Sequence, residues 1–149
     1  MPNNRKESHL ANIISLTDQG AAEAIRGALT IHESGAQFLV PALTGGTQTI
    51  DLPSATAANI GFTCTFTASD TVGETFNVKG NGTEVIKIIS AIPVGDGTYD
   101  VKTTGTVFGF TGTAAIGCSF TITLISVDTF HISNIVSGGE ADGRDEYNA

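Results

Sequence analysis

Two segments of this chain carry nearly the same alternating pattern, which restricts the possible fold more than any other feature. Residues 61–67 read GFTCTFT and residues 117–124 read GCSFTITL. In both, a bulky apolar side chain alternates with Thr or Ser, the period-two pattern of a β-strand with one face against a core. Thr and Ser suit the other, pleated face and add no charge to it. The pattern predicts two similar strands that each contribute one face to a core.

Turn signals recur along the rest of the chain at intervals typical of an all-β protein. Gly-Gly at 45–46, Asn-Gly at 81–82 and Asp-Gly at 96–97 each separate strand-like segments. Asn-Gly between two such segments predicts a hairpin, because both central residues of that turn need positive φ. The spacing predicts about nine or ten short strands in a single β-sandwich or jelly-roll-like domain, with no helices to cover a parallel sheet.

Residues 21–31 fit two patterns. A helix with Asp18 as its N-cap would place Ile25 and Leu29 on one stripe. A strand from about residue 25 would place Ile25, Leu29 and Ile31 on one face. Gly27 weakens both patterns. We favour the strand, because the pattern continues through a turn at 33–35 into QFLVP at 37–41.

The chain divides into three parts by composition. Residues 1–20 form an N-terminal arm, polar at first and then extended at 13–16, and residues 21–137 form the β-sandwich domain. Residues 138–149 form an acidic tail with no core residues, predicted to be disordered or an extended strap on a partner. Strand parity within the domain predicts the core residues Phe38, Val40, Ile50, Leu52, Phe62, Cys64, Phe66, Phe120, Ile122 and Leu124.

Charge and hydropathy restrict the classes of partner. The net charge is −8, and acidic surfaces repel phosphate, so we expect no nucleic-acid binding. The polar N-terminus has no apolar run after it, and the longest apolar stretches fall far short of about 18 residues, so we expect neither a signal peptide nor a membrane span. Only 15% of the residues are charged, and such neutral surface tolerates burial in an assembly, so we expect an oligomer rather than a monomer.

The two cysteines are expected to be small core residues in a reducing compartment. Cys64 shares a strand face with Phe62 and Phe66, and Cys118 shares one with Phe120. A disulfide is conceivable if the two similar strands pair as neighbours, but two cysteines do not make a disulfide framework.

Residues that could carry chemistry are scattered. The three histidines have no metal-ligand spacing, and no Gly-x-Ser-x-Gly, HExxH, CxxC or phosphate-binding loop occurs. Two facing acids could hydrolyse glycosides, but a sugar site usually needs flat aromatic side chains, and the chain has no Trp and only two Tyr. The acids also lack the spacing of an EF-hand calcium loop. We expect no enzymatic activity, cofactor or metal site; the residues considered are His9, His32, His131, Asp96, Asp100 and Asp128.

Two parts of the sequence resemble small tailed-phage virion proteins. Residues 34–43 (SGAQFLVPAL) followed by 49–55 (TIDLPSA) are similar to a Ser-Gly turn, a Phe/Val-rich strand and a "T-I-x-L-P-x-A" strand in those proteins. Residues 61–66 resemble their "G-x-x-Y/F-T-F" strand, and residues 122–132 resemble a closing strand pair in which an aromatic residue follows a reversing acid. The resemblance covers roughly residues 29–137, and Phe130 stands where Trp is often expected.

The resemblance implies a capsid decoration (cement) protein or a related small head or fibre protein. Such proteins are typically β-rich, often trimeric, and bind the major capsid protein on the outer surface of the virion after synthesis in the host cytoplasm. The function would be non-catalytic, because buried area holds neighbouring capsomers together. The rival class is a tail-fibre knob or surface adhesin that binds a receptor or glycan.

We further expect the N-terminal arm, and not a pocket, to make the capsid contacts. Two of the seven bases lie in a segment too polar to fold by itself, and Gly20 separates that segment from the β body. A segment that orders on binding can span a joint that a compact domain cannot reach. The expected capsid-contacting residues are Arg5, Lys6, His9, Ile13 and Ile14.

Overall fold

The described part of the chain folds into β-strands with two single-turn 3₁₀ helices, at Ile31–Glu33 and Ala57–Asn59. The computed structural model describes residues 12–21, 23–82, 84–88, 92–94, 98–100, 105–136 and 147–148. These residues form twelve strands: β1 (Ile13–Ser15), β2 (Gln37–Val40), β3 (Gln48–Asp51), β4 (Thr63–Ala68), β5 (Phe76–Lys79), β6 (Val85–Ile88), β7 (Ile92–Val94), β8 (Thr98–Asp100), β9 (Val107–Phe110), β10 (Ser119–Ser126), β11 (Thr129–Val136) and β12 (Tyr147–Asn148).

Two sheets face each other, and β7 and β8 form a separate antiparallel pair. The larger sheet has the order β1-β2-β4-β10-β11-β6, and the smaller has the order β12-β9-β5-β3. Aromatic rings meet between the sheets: Phe66 lies 5.5 Å from Phe76, and Phe120 lies 4.9 Å from Phe108, ring centre to ring centre. The prediction of an all-β domain is confirmed, and all ten predicted core residues are buried.

The two similar strands are neighbours in the larger sheet. β4 and β10 pair antiparallel, with Phe66 opposite Phe120 and Cys64 opposite Ile122. This pairing places the two cysteines far apart along the strands, because Cys118 precedes β10 and accepts a hydrogen bond from the Ala68 amide at the far end of β4. Both cysteines are buried and neither is disulfide-bonded, so the conceivable disulfide does not form.

Parallel pairing occurs without covering helices. Among the described strands, β1 with β2, β2 with β4, β3 with β5 and β6 with β11 pair parallel. The chain passes from one sheet to the other at each step from β2 to β6. For the pairs β2 with β4 and β3 with β5, a strand of the opposite sheet therefore lies in the crossover that a parallel pair requires. The interior covers one face of each sheet.

The strand predicted from about residue 25 is wrong, and so is the helical alternative. Residues 23–29 run beside β3, where the Ile25 amide donates to Thr49 and the Leu29 amide to Asp51. From Ile25 to Leu29 the segment advances four residues while β3 advances only two, from Thr49 to Asp51. The segment therefore bulges and does not form a regular β-ladder with β3. Ile25 and Leu29 are buried as both patterns required, but Ile31 begins a 3₁₀ helix and is 37% exposed.

The predicted Asn-Gly hairpin is also wrong. Residues 81–82 do reverse the chain after β5, but β5 belongs to the smaller sheet and the following β6 belongs to the larger one. β6 pairs with β11 instead. The expected turn is also absent, because neither Asn81 nor Gly82 adopts the positive φ that the two central positions of such a turn need.

The tail contributes to the core, contrary to expectation. Tyr147 lies opposite Phe110 in the ladder between β12 and β9, and its side chain is 3% exposed. Its ring contacts Phe108, Phe110 and Phe120, and its hydroxyl donates to the backbone carbonyls of Ser119 and Val136. These two bonds satisfy the polar end of an otherwise apolar ring.

Candidate functional site

The same turn precedes both strands of the similar pair. Ile60 (φ −56°, ψ 131°) and Gly61 (φ 95°) occupy the central positions of a type II turn closed by a hydrogen bond from the Phe62 amide to the Asn59 carbonyl. Residues 115–118 repeat the arrangement, with Gly117 at φ 93° and the Cys118 amide bonded to the Ala115 carbonyl. The residue before each glycine is an isoleucine at the tip of a turn, so its side chain points away from the core.

Antiparallel pairing puts these two turns at opposite ends of the larger sheet. The Gly61 amide donates to the Leu124 carbonyl at one end, and the Gly117 amide donates to the Ala68 carbonyl at the other. Ile60 is consequently 48% exposed and Ile116 is 64% exposed.

Ile60 shares its end of the sheet with two more exposed apolar residues. Ile125 follows Leu124 at the end of β10, and Val127 lies in the turn between β10 and β11, where Asp128 adopts φ 68°. Their exposed fractions are 42% and 49%. We call Ile60, Ile125 and Val127 the hairpin-end patch. Contiguous exposed apolar residues of this kind mark surfaces that bind other proteins or membranes.

The outer face of β4 and β10 is a second candidate surface. It carries Thr63, Thr65 and Thr67 on β4 and Ser119, Thr121 and Thr123 on β10, all half-buried; we call these six residues the hydroxyl face. Two pairs of hydroxyls bond across the strands, Thr63 to Thr123 at 2.9 Å and Thr65 to Thr121 at 3.0 Å. Because these hydroxyls already have partners within the chain, covering them with another protein costs less than covering unpaired polar groups.

The predicted arm is only partly within the described residues. Arg5, Lys6 and His9 lie outside them. Ile13 is 58% exposed on the edge strand β1, while Ile14 is half-buried and packs against the core. Parallel pairing places the start of β1 at the same end of the sheet as the start of β4. The chain therefore enters β1 from the end that carries the hairpin-end patch.

A polar cluster fixes residues 18–20 to the body. The fully buried Gln48 donates from Nε2 to an Asp18 carboxylate oxygen and to the Gly20 carbonyl, and its Oε1 accepts from the Gln19 amide at 3.1 Å. Hydrogen bonds from Thr44 above all, and then from Gln48 and Gly20, lower the pKa of the Asp18 carboxyl. The polar residues around Gly20 are therefore bonded to β3 of the smaller sheet.

The residues considered for chemistry are not brought together. His32 is exposed on a 3₁₀ helix, and His131 faces outward between the buried Phe130 and Ile132, as predicted. Asp128 lies in the turn between β10 and β11, the backbone of Asp100 is in β8, and His9 and Asp96 are outside the described residues. Within the described ranges, no three His, Cys, Asp or Glu side chains form a group that could hold a metal. Neither 3₁₀ helix of the described chain is long enough to cross a membrane.

A shallow depression of about 240 Å³ lies beside β3, at the edge where residues 23–29 run along that strand. Acidic and basic side chains line it, and both bases are in salt bridges. The Lys79 ammonium nitrogen lies 3.5 Å from an Asp51 carboxylate oxygen, and an Arg26 guanidinium nitrogen lies 2.7 Å from a Glu33 carboxylate oxygen. The described residues that line it include no aromatic ring that could stack on a sugar. It therefore resembles ordinary charged surface more than a glycan site.

Comparison with known proteins adds no family assignment. No protein-family model matches the sequence, and no curated protein matches it.

Sequence reasoning missed the hairpin-end patch although its signal was present. Both alternating strands were recognised, but the Ile-Gly pair before each of them was not read as the centre of a type II turn. An isoleucine in that position is exposed by the turn geometry. The convergence of Ile60 with Ile125 required the antiparallel register, which the sequence does not specify.

Proposed function

We propose that this protein is a non-enzymatic virion structural protein, a capsid decoration protein that binds the major capsid protein on the outer surface of a phage head. It acts there as a homotrimer, assembled in the host cytoplasm, and it stabilises the contacts between neighbouring capsid subunits. The resemblance of residues 29–137 to small tailed-phage virion proteins suggested this class.

The observation that carries the proposal is the chemistry of the larger sheet's outer surface. The hydroxyl face has no charged side chain, and its central hydroxyls are bonded to one another. Such a surface loses little on burial against another protein. A protein present in many copies on a shell needs surfaces of this kind for both its own subunits and the shell.

The hairpin-end patch supplies apolar contact area at one end of this sheet. Interfaces gain most of their affinity from a few well-packed apolar or aromatic residues. The chain enters β1 at the same end, so the arm residues Arg5, Lys6 and His9 precede a strand that starts beside the patch in the sheet. We therefore propose that arm and patch attach to the capsid together.

The first test exploits the repeated turn. Ile60→Asp places a charge in the hairpin-end patch, and Ile116→Asp places the same charge in the same type of turn at the opposite end. We expect Ile60→Asp to weaken saturable binding to purified capsids that lack the protein at least tenfold, and Ile116→Asp to leave it unchanged. If both variants bind capsids with the affinity of the unsubstituted protein, the hairpin-end patch does not contact the capsid.

The second test removes residues 1–11 and no more, because deletion through residue 16 would also remove β1 and the buried Leu16. We expect the shortened protein to lose capsid affinity while light scattering still gives the mass of a trimer, three times the mass of the shortened chain. Unchanged affinity would place attachment in the β body alone. Binding to host cells or glycans, with no binding to capsids, would support the adhesin class instead.

A further inference from the structure

Glu84 is a buried carboxylate with almost no hydrogen bonding. It lies just before β6, and 8% of its surface is exposed. Its Oε2 atom is fully covered and has no hydrogen-bond partner. Its Oε1 atom accepts from the Ala55 amide at 3.5 Å, the outer limit for a hydrogen bond. Burying an ionised carboxylate without a partner is costly, so an ionised Glu84 requires a compensating charge.

No base among the described residues forms a salt bridge with Glu84. The salt bridges of the described residues join Lys79 to Asp51 and Arg26 to Glu33, and neither includes Glu84. The compensating charge must therefore come from outside the described part of the chain.

The carboxylate lies beside a turn and near residues that carry side-chain oxygens. The turn at residues 80–82 passes directly beside it, since a Cβ added to Gly80 would lie 2.7 Å from Oε2 and one added to Gly82 would lie 3.2 Å from it. Between these glycines, the Asn81 amide faces the Ser54 hydroxyl at 3.5 Å. This contact, like the one from Ala55, is as long as a hydrogen bond can be. The Asn81 amide, the Ser54 hydroxyl and the Ala55 amide therefore make no short hydrogen bond in these contacts.

We propose that Glu84 binds a calcium ion together with the side-chain oxygens of Asn81 and Ser54. Calcium takes six to eight oxygen ligands, including amide oxygens and waters, in flexible geometry. The oxygen and nitrogen of an Asn amide are interchangeable by a flip, so Asn81 can present its oxygen to the ion. Gly80 and Gly82 pack closely against the carboxylate, where a side chain at Gly80 would collide with Oε2. This revises the expectation that the chain has no metal site.

The site joins three parts of the fold. Ser54 follows β3 of the smaller sheet, Asn81 lies between β5 and β6, and Asp128 is hydrogen-bonded to the residues that follow Ser54 and Glu84. The Asp128 amide donates to the Ala55 carbonyl at 3.4 Å, and its carbonyl accepts from the Val85 amide at 2.9 Å. Asp128 therefore adds a second negative charge close to the site. With so few carboxylates, we expect a dissociation constant of about 10⁻⁴ to 10⁻³ M, the weak end of the calcium range.

Thermal unfolding in CaCl₂ tests the site without any capsid. At a calcium concentration of about ten times the dissociation constant, we expect the melting temperature to rise by about 3–6 °C relative to NaCl of equal ionic strength. Glu84→Gln keeps the shape of the side chain and should abolish the rise. The matched control Glu23→Gln removes an exposed carboxylate and should keep it.

Amide NMR of the unsubstituted protein provides an independent readout if Glu84→Gln does not fold. We expect calcium to shift the amide signals of Ala55, Gly80, Asn81 and Gly82. No calcium effect beyond that of NaCl overturns the proposal. So do shifts confined to the acidic residues 138–149, or a melting rise that survives Glu84→Gln. These results are independent of whether the protein binds capsids.

Discussion

Gln48 is a polar side chain with no exposed surface, and every contact that it makes tethers the segment before it in the chain. Replacing it with Ala would leave an Asp18 oxygen, the Gln19 amide and the Gly20 carbonyl without their partner. We predict a loss of about 1–3 kcal/mol in the free energy of unfolding, measured by urea denaturation. Gln37→Ala is the control, because Gln37 is half-buried and its amide donates to Thr67 at 3.1 Å. A smaller loss for Gln48→Ala than for Gln37→Ala would contradict this assignment.

His131 responds to pH through its position on the outer face of β11. Partial burial, and secondarily the positive charge of Lys87 opposite it on β6, lower the pKa of the imidazole below its ordinary value of 6.5. The folded protein therefore binds a proton less readily than the unfolded chain does. This group's contribution to stability is complete above the unfolded pKa and is lost as pH falls from there through the folded pKa.

We predict that an NMR titration of His131 has its midpoint below 6.5. Lys87→Gln should raise that midpoint, since it removes a like charge, whereas Lys79→Gln on the other sheet should not move it. A midpoint at or above the ordinary value would show that the imidazole is more solvated than its place in the sheet indicates.

At the scale of the strand, β12 stabilises the core through a single residue. Tyr147→Ala removes a ring that contacts three phenylalanines, and we predict a loss of about 3–5 kcal/mol in the free energy of unfolding. Tyr147→Phe keeps the ring but leaves two carbonyls without their donor, so we predict a loss of about 1 kcal/mol. If chemical denaturation shows that the free energy of unfolding of Tyr147→Ala lies within about 0.5 kcal/mol of that of the unsubstituted protein, β12 does not stabilise the core.

Strands were predictable from the sequence where their two faces differ in chemistry. The alternation in β4 and β10 identified their buried faces and the core residues Phe66 and Phe120. It did not identify partners, because the same alternation fits any neighbour in either direction. Tyr147 was missed for a related reason: an isolated aromatic residue in an acidic segment has no periodicity. Its burial depends on a slot formed by β9 and β10, which are distant in sequence.

The candidate site was predictable to a smaller extent. Ile13 and Ile14 were identified from an apolar segment after a polar one, and the structure places both on the edge strand β1. The hairpin-end patch and the Glu84 site are both assembled from segments far apart in sequence. Their residues carry no shared motif, and only the pairing of strands across both sheets brings them together.

At the scale of the molecule, both sheets share one continuous core, so the domain should unfold as a unit. Burial, and to a smaller extent the charge of Glu33, raise the pKa of the Cys64 thiol, and Cys118 is fully buried. We predict that neither thiol reacts with a disulfide reagent in the folded protein. In a urea series, labelling of both should coincide with the loss of β-sheet circular dichroism. Labelling of one thiol before that transition would indicate that part of the sandwich opens separately.

The position of Tyr147 has a consequence for how the protein is made. Ribosomes add residues in order, and Phe108, Phe110 and Phe120 are synthesised well before the ring that covers them. A chain that ends before Tyr147 leaves an apolar slot beside Phe108, Phe110 and Phe120 unfilled, next to an unpaired edge of β9. Purified protein shortened to residues 1–146 should therefore bind a chaperone more strongly than the full chain does.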